Sequence, residues 1–124
     1  MKSIKTTNAY QSSSPLSQAI QTNDFLFVSG QVPVDPESGD ARGDTIGEQT
    51  DVTFENIAAV LEAAGGSLDD IVKTTVFLTN IEDFQGMNEA YEATFTEPYP
   101  ARSAFEVADL ASDIRVEIEA IAEL

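Results

Sequence analysis

The chain has 124 residues, 42% of them apolar, with no cysteine or histidine, and its 22 acidic and 6 basic residues give a formal net charge of −16. That size and apolar share fit a single domain over 1–124 whose core needs neither disulfide nor metal. The missing side chains exclude thiol chemistry, thiolate and imidazole metal sites and histidine-dependent triads. Such a charge repels phosphate, so neither nucleic acid nor an anionic membrane is expected as a partner. The acidic residues are scattered rather than gathered in a tail, which reads as a charged surface, best explained by adaptation to high salt. The N-terminus carries no apolar signal core and no run approaches membrane-spanning length, so a cytoplasmic location is expected.

In chain order, 2–5 reads as a short strand and the polar stretch 10–17, with Pro15, as a loop. Phe25 to Ser29 is an apolar run closed by Gly30, a predicted strand. The turn formers from Pro33 to Asp40 predict a loop or hairpin tip. From 46 to 64 the period becomes helical, with Phe54, Ile57, Val60 and Leu61 on one face, Thr45 placed as N-cap and Gly65-Gly66 as the stop. Ile71 to Leu78 is rich in β-branched residues and predicts a strand. Phe84, Met87, Tyr91 and Phe95 form the stripe of a second helix, broken by Glu97-Pro98-Tyr99-Pro100. Two strands, 101–107 and 114–121, complete the order β-β-α-β-α-β-β. This predicts an α+β two-layer sandwich, a mixed sheet with two helices on one face. Alternation assigns Arg102, Ala104 and Glu117 to the other, half-polar face, with residues around Ser29.

Arg102 is one of few cations in a chain that disfavours them. A guanidinium donates two parallel hydrogen bonds to a carboxylate, so a small acid is the ligand it would hold. The plain alternative is a surface pair with a neighbouring glutamate. Without histidine, a carboxylate is the natural proton carrier, and Glu117 is the candidate, with Glu119 and Glu106 as weaker rivals. Ser29-Gly30 ends a strand where a glycine allows close approach of a ligand or another chain. No P-loop or dinucleotide fingerprint occurs, and no cofactor or metal site is expected.

Phe27-Val28-Ser29-Gly30-Gln31-Val32-Pro33, Asn56 to Gly65, Val72 to Leu78, Asn88-Glu89-Ala90-Tyr91, Pro100-Ala101-Arg102-Ser103-Ala104 and Val116 to Ala122 stand in the order of a known family. Through these segments nearly the whole chain resembles the RidA (YjgF-type) family of reactive-intermediate deaminases. The resemblance implies a chorismate-mutase-like fold, a homotrimer with clefts between subunits, and cofactor-free hydrolysis of 2-enamines and 2-imino acids, such as 2-aminoacrylate, to 2-keto acids and ammonia. It implies that Arg102 binds the substrate carboxylate and Glu117 handles the attacking water. Ser29, Gly30, Asn88 and Ala104 are then implied to line the cleft.

Two positions depart from the family pattern. Leu16 stands where a substrate-contacting tyrosine is common, with Tyr10 and Tyr99 as possible replacements, and Ala104 stands where cysteine is frequent. Two other readings stay open: a binding module that holds a small 2-keto acid without turnover, and a chaperone-like interaction protein. Endoribonuclease activity, also associated with relatives, is disfavoured by the acidic surface and the missing histidine.

Overall fold

The computed structural model describes residues 1–124. Its elements are β1 (Lys2–Ile4), β2 (Ala19–Thr22), β3 (Phe25–Gln31), α1 (Ile46–Ala63), β4 (Ile71–Leu78), α2 (Phe84–Thr94), β5 (Ala101–Glu106) and β6 (Val116–Glu123). The strands form one six-stranded sheet in the order β1-β2-β3-β6-β4-β5. Only β4 and β5 run parallel, joined through α2, and the other pairs are antiparallel. The architecture is the expected α+β sandwich with a mixed sheet.

Helix α1 begins as its sequence dictates. The Thr45 hydroxyl accepts from the Glu48 N–H at 3.1 Å, and Glu48 Oε1 accepts from that hydroxyl at 3.3 Å. It ends with Gly65 at φ +86°, where the Gly66 N–H donates to Leu61 O at 2.8 Å and the Gly65 N–H to Glu62 O at 3.0 Å. A left-handed residue closing the last turn in this way is the reason for glycine there.

The apolar stripe of α1 and that of α2 pack on one face of the sheet. Phe54, Ile57, Val60 and Leu61 share a core with Met87 and Tyr91, and with strand residues such as Val76, Leu78, Val116 and Ile118. Phe54 meets Tyr91 and Phe95 edge-on, with ring centroids 5.5 and 5.2 Å apart. The opposite face carries Phe27, paired in register with Ile121, and Phe105, paired with Phe77. Phe27 is 45% and Phe105 44% exposed.

Three expectations are corrected. Ala19–Thr22 is a strand that the sequence reading did not contain; four residues are too few for its alternation to stand out. The last strand starts at Val116 rather than Ile114, because the Arg115 N–H is bonded to Gln49 Oε1 at 2.8 Å instead of to a neighbouring strand. The third concerns the faces. Arg102 pairs in register with Thr74, and Ala104 with Val76, both buried under the helices. Arg102 and Ala104 therefore lie on the helix-covered face. Glu117 pairs with Phe77 and lies on the open one. Alternation within each strand was sound; the relative phase of β5 and β6 is set by their common neighbour β4, a long-range pairing that sequence periodicity does not contain.

Candidate active site

Arg102 projects from the edge strand β5 towards α2. Its Nη1 donates to Asn88 Oδ1 at 2.7 Å and lies 3.9 Å from Met87 Sδ. The guanidinium carbon stands 4.8 Å from the centroid of the Tyr91 ring and 5.5 Å from that of Phe84. Aromatic faces attract the cation without neutralising it. The two ion pairs within 4.0 Å in this chain both belong to Arg42, so Arg102 holds no carboxylate of its own despite 22 acidic residues. Several of its five donors are left for a ligand. Tyr91 is held in turn by Thr74, hydroxyl to hydroxyl at 2.7 Å. Burial raises its pKa, against smaller opposing effects of the Thr74 bond and the Arg102 charge, so its ring stays neutral beneath the cation. Asn88, Tyr91, Glu92, Tyr99, Pro100 and Arg102 line an open pocket here.

Glu117 occupies a second cavity, on the other side of the sheet, with Gly30, Gln31, Val32, Val34 and Ile114 among its walls. The residues Tyr10 and Leu16 close it from the N-terminal loop, and Leu16 is 53% exposed at its edge. Half-burial pushes the Glu117 pKa up from the ordinary glutamate range, and the neighbouring Glu119 charge adds to the rise. A carboxyl group raised in this way is a better proton donor and acceptor near neutral pH.

A bulge between Val28 and Gln31 re-aims β3 at this point. It brings Gly30 so close to Glu117 that an added methyl group would collide with Glu117 Oε2. Absence of a side chain at Gly30 is what gives the carboxyl group its space. Ser29 lies beside it, but its hydroxyl donates to Ser17 O, so it is engaged in holding the loop.

The candidates thus separate into two groups. Arg102 and Asn88 meet directly, with Tyr99 on the same pocket; Glu117 and Gly30 meet, with Tyr10 and Leu16 beside them. Ala104 packs against the core two residues along β5 from Arg102. The seat of Arg102 on Phe84, Met87 and Tyr91 was read from the sequence as core alone. Their spacing with Asn88 on one helix face was visible, but the strand opposite them was not.

Residues 6–124 match the family described as Endoribonuclease L-PSP. A RutC family protein of Pyrococcus horikoshii is 50% identical over 119 residues, 96% of this chain and 94% of that protein. The 2-iminobutanoate/2-iminopropanoate deaminase of Salmonella typhimurium is 45% identical over 124 residues, 98% of this chain and 96% of the enzyme. In structure, RidA from the Antarctic bacterium Psychrobacter superposes with a TM-score of 0.96 at 42% identity, covering 100% of both chains. Sequence, fold and the matched length together make this chain a member of the L-PSP endoribonuclease family, the family of RidA and YjgF.

Proposed function

We propose that the protein hydrolyses small 2-imino acids and their enamine tautomers to 2-keto acids and ammonia, in clefts formed between copies of the chain. The observation that carries this reading is the unpaired Arg102, held on neutral and aromatic groups in a chain of charge −16. Two relatives bearing the deaminase name, at 45% and 44% identity, support the reaction.

Arg102 and Glu117 lie on opposite faces of one sheet with β4 between their strands. One small substrate touches both only if the Arg102 pocket of one copy meets the Glu117 cavity of another. The exposed Phe27 and Phe105 on the open face favour such an assembly, which buries them, and a homotrimer closes the arrangement in a ring.

In this reading Arg102 clamps the substrate carboxylate and fixes the imine carbon. Glu117 takes a proton from a water as its oxygen bonds to that carbon and delivers it to the imine nitrogen, giving a neutral carbinolamine. The same carboxylate then takes the carbinolamine hydroxyl proton as the carbonyl forms and passes it to nitrogen as the carbon–nitrogen bond breaks. Water and imine are consumed; keto acid and ammonia leave, and Glu117 ends as it began. The imine carbon is already electrophilic, so positioning and one proton carrier suffice.

With 2-iminopropionate generated in solution, Arg102→Ala is expected to lower kcat/KM by about 10²-fold or more, the loss of a charge-assisted bidentate contact. Equal clearance by wild type and Arg102→Ala would defeat the reading. A binding module without turnover is the second reading, favoured by relatives at 50% identity that carry only the RutC family name. It predicts that 2-oxobutanoate binds wild type and Glu117→Gln alike while neither accelerates imine loss.

A further inference from the structure

Seven polar side chains are buried in the chain, and they divide unevenly. Three are threonines with local duties. Thr50 and Thr53 donate to carbonyls of their own helix, and Thr74 bonds Tyr91 beneath Arg102. The other four are carboxamides: Gln18 and Asn56 bond backbone of residues that line the Glu117 cavity, Gln31 is itself on that lining, and Gln49 bonds Arg115, next to the lining residue Ile114.

Gln18 accepts from the Thr6 N–H at 2.7 Å and donates to Thr6 O at 3.0 Å and Tyr10 O at 3.1 Å, holding the loop that carries Tyr10. Asn56, 2% exposed, donates to Val32 O and Val34 O, both at 2.9 Å, tying the exit of β3 to helix α1. Gln49 donates to Gly43 O at 3.2 Å and accepts from the Arg115 N–H at 2.8 Å, anchoring the segment between Ile114 and β6. Gln31 donates across the bulge to Ser29 O at 3.3 Å.

We infer that Gln18, Gln49 and Asn56 are positioning residues of the Glu117 cavity, each fixing a different wall through charge-free hydrogen bonds. A carboxamide suits the task because it donates and accepts at once and carries no charge that burial would penalise. It also adds nothing to an already large negative charge, and its bonds are not screened by salt. Gln49 and Asn56 stand outside the cavity lining and act through backbone, and Gln18, itself on that lining, ties down the loop beside it, so the three set the shape and dryness of the space around the Glu117 carboxyl group. This inference rests on the preceding reading only in taking that carboxyl group as the proton carrier.

Asn56→Asp provides the test, with Asn56→Leu beside it. The aspartate has the same shape, but as a carboxylate it faces two carbonyls and repels them; when protonated it donates to one. Two readouts are followed: kcat/KM with 2-iminopropionate across pH, and the Glu117 titration midpoint by carbon NMR of the labelled side chain. The expected results are a loss of about 10²-fold in kcat/KM at neutral pH, as for a slightly misplaced catalytic group, and a Glu117 midpoint moved down towards that of an ordinary glutamate as water enters. The ratio of Asn56→Asp to wild-type kcat/KM should recover on acidification, which Asn56→Leu should not reproduce. If these variants do not fold, Gln49→Met, on another wall, gives the midpoint readout. A Glu117 midpoint unchanged in every folded variant overturns the inference. A midpoint that moves, in a protein whose wild type hydrolyses no imine, sinks the proposed activity and leaves the positioning role standing.

Discussion

Arg102 shows how a cation is kept available among so many acids. Asn88 offers a neutral acceptor, and Tyr91 and Phe84 offer ring faces, so none of these partners competes as a carboxylate would. Arg102→Lys keeps the charge but loses the planar fork, and should lose most of the affinity for 2-oxobutanoate measured by calorimetry. Glu117 carries the reverse strain, a carboxyl group made costly to ionise. Its folded pKa is raised, so between the unfolded and folded values the folded protein binds more protons than the unfolded chain. Stability from this group is therefore greatest below the unfolded pKa and falls as pH rises through the folded one. Glu117→Gln removes that penalty: urea denaturation at neutral pH should find it at least as stable as wild type, with the difference shrinking in acid, while the proposed mechanism expects its activity to fall. Leu16 lies exposed at the edge of the same cavity. Leu16→Tyr should be tolerated, and a rise in kcat/KM with 2-iminopropionate would show that a phenolic donor is what the site lacks.

At the scale of elements, two glycines serve different ends and should separate in experiment. Gly65→Ala strains the left-handed residue that closes α1 and should cost about 1–2 kcal/mol in denaturant unfolding, with little change in kcat. Gly30→Ala pushes a methyl group into the Glu117 carboxyl group, so its main effect should be on kcat. The helices were legible in the sequence because their apolar spacing, the Thr45 cap and the Gly65-Gly66 stop are local signals, and all three stand in the structure. Arg102 and Glu117 were singled out by charge and by resemblance, and each does occupy a cavity. Their placement on one face was an error of phase. Phe105 on the open face and Arg102 on the covered one invert the usual apolar-in rule: Arg102 is sheltered by aromatic rings, while Phe105 is exposed. The bulge at Ser29-Gly30 was equally invisible, since it exists only relative to β6.

At the scale of the whole molecule, charge dominates. The only ion pairs within 4.0 Å are those of exposed Arg42 with Asp35 at 3.7 Å and Glu55 at 2.7 Å, so most of the 22 acids repel one another uncompensated. Screening relieves such repulsion, and the Debye length shrinks from roughly 10 Å at 0.1 M salt to about 3 Å at 1 M. The melting temperature should therefore climb markedly between low and molar KCl; a flat profile would count against adaptation to high salt. The same field opposes the approach of an anionic acid to Arg102, so kcat/KM for such a substrate should also rise with salt.

The sheet order also sets a timetable. Strand β6 lies between β3 and β4, both of which precede it by a long stretch of chain. During synthesis, β1 to β3 can pair as soon as they emerge, and β4 can meet β5, but these two ribbons have no common edge until residues 116–123 appear. Before then, the edges of β3 and β4 that later receive β6 are open to other nascent chains. Glu117 is itself part of that joining strand, so its cavity is completed in the same step as the sheet, whereas Arg102 on β5 precedes it along the chain.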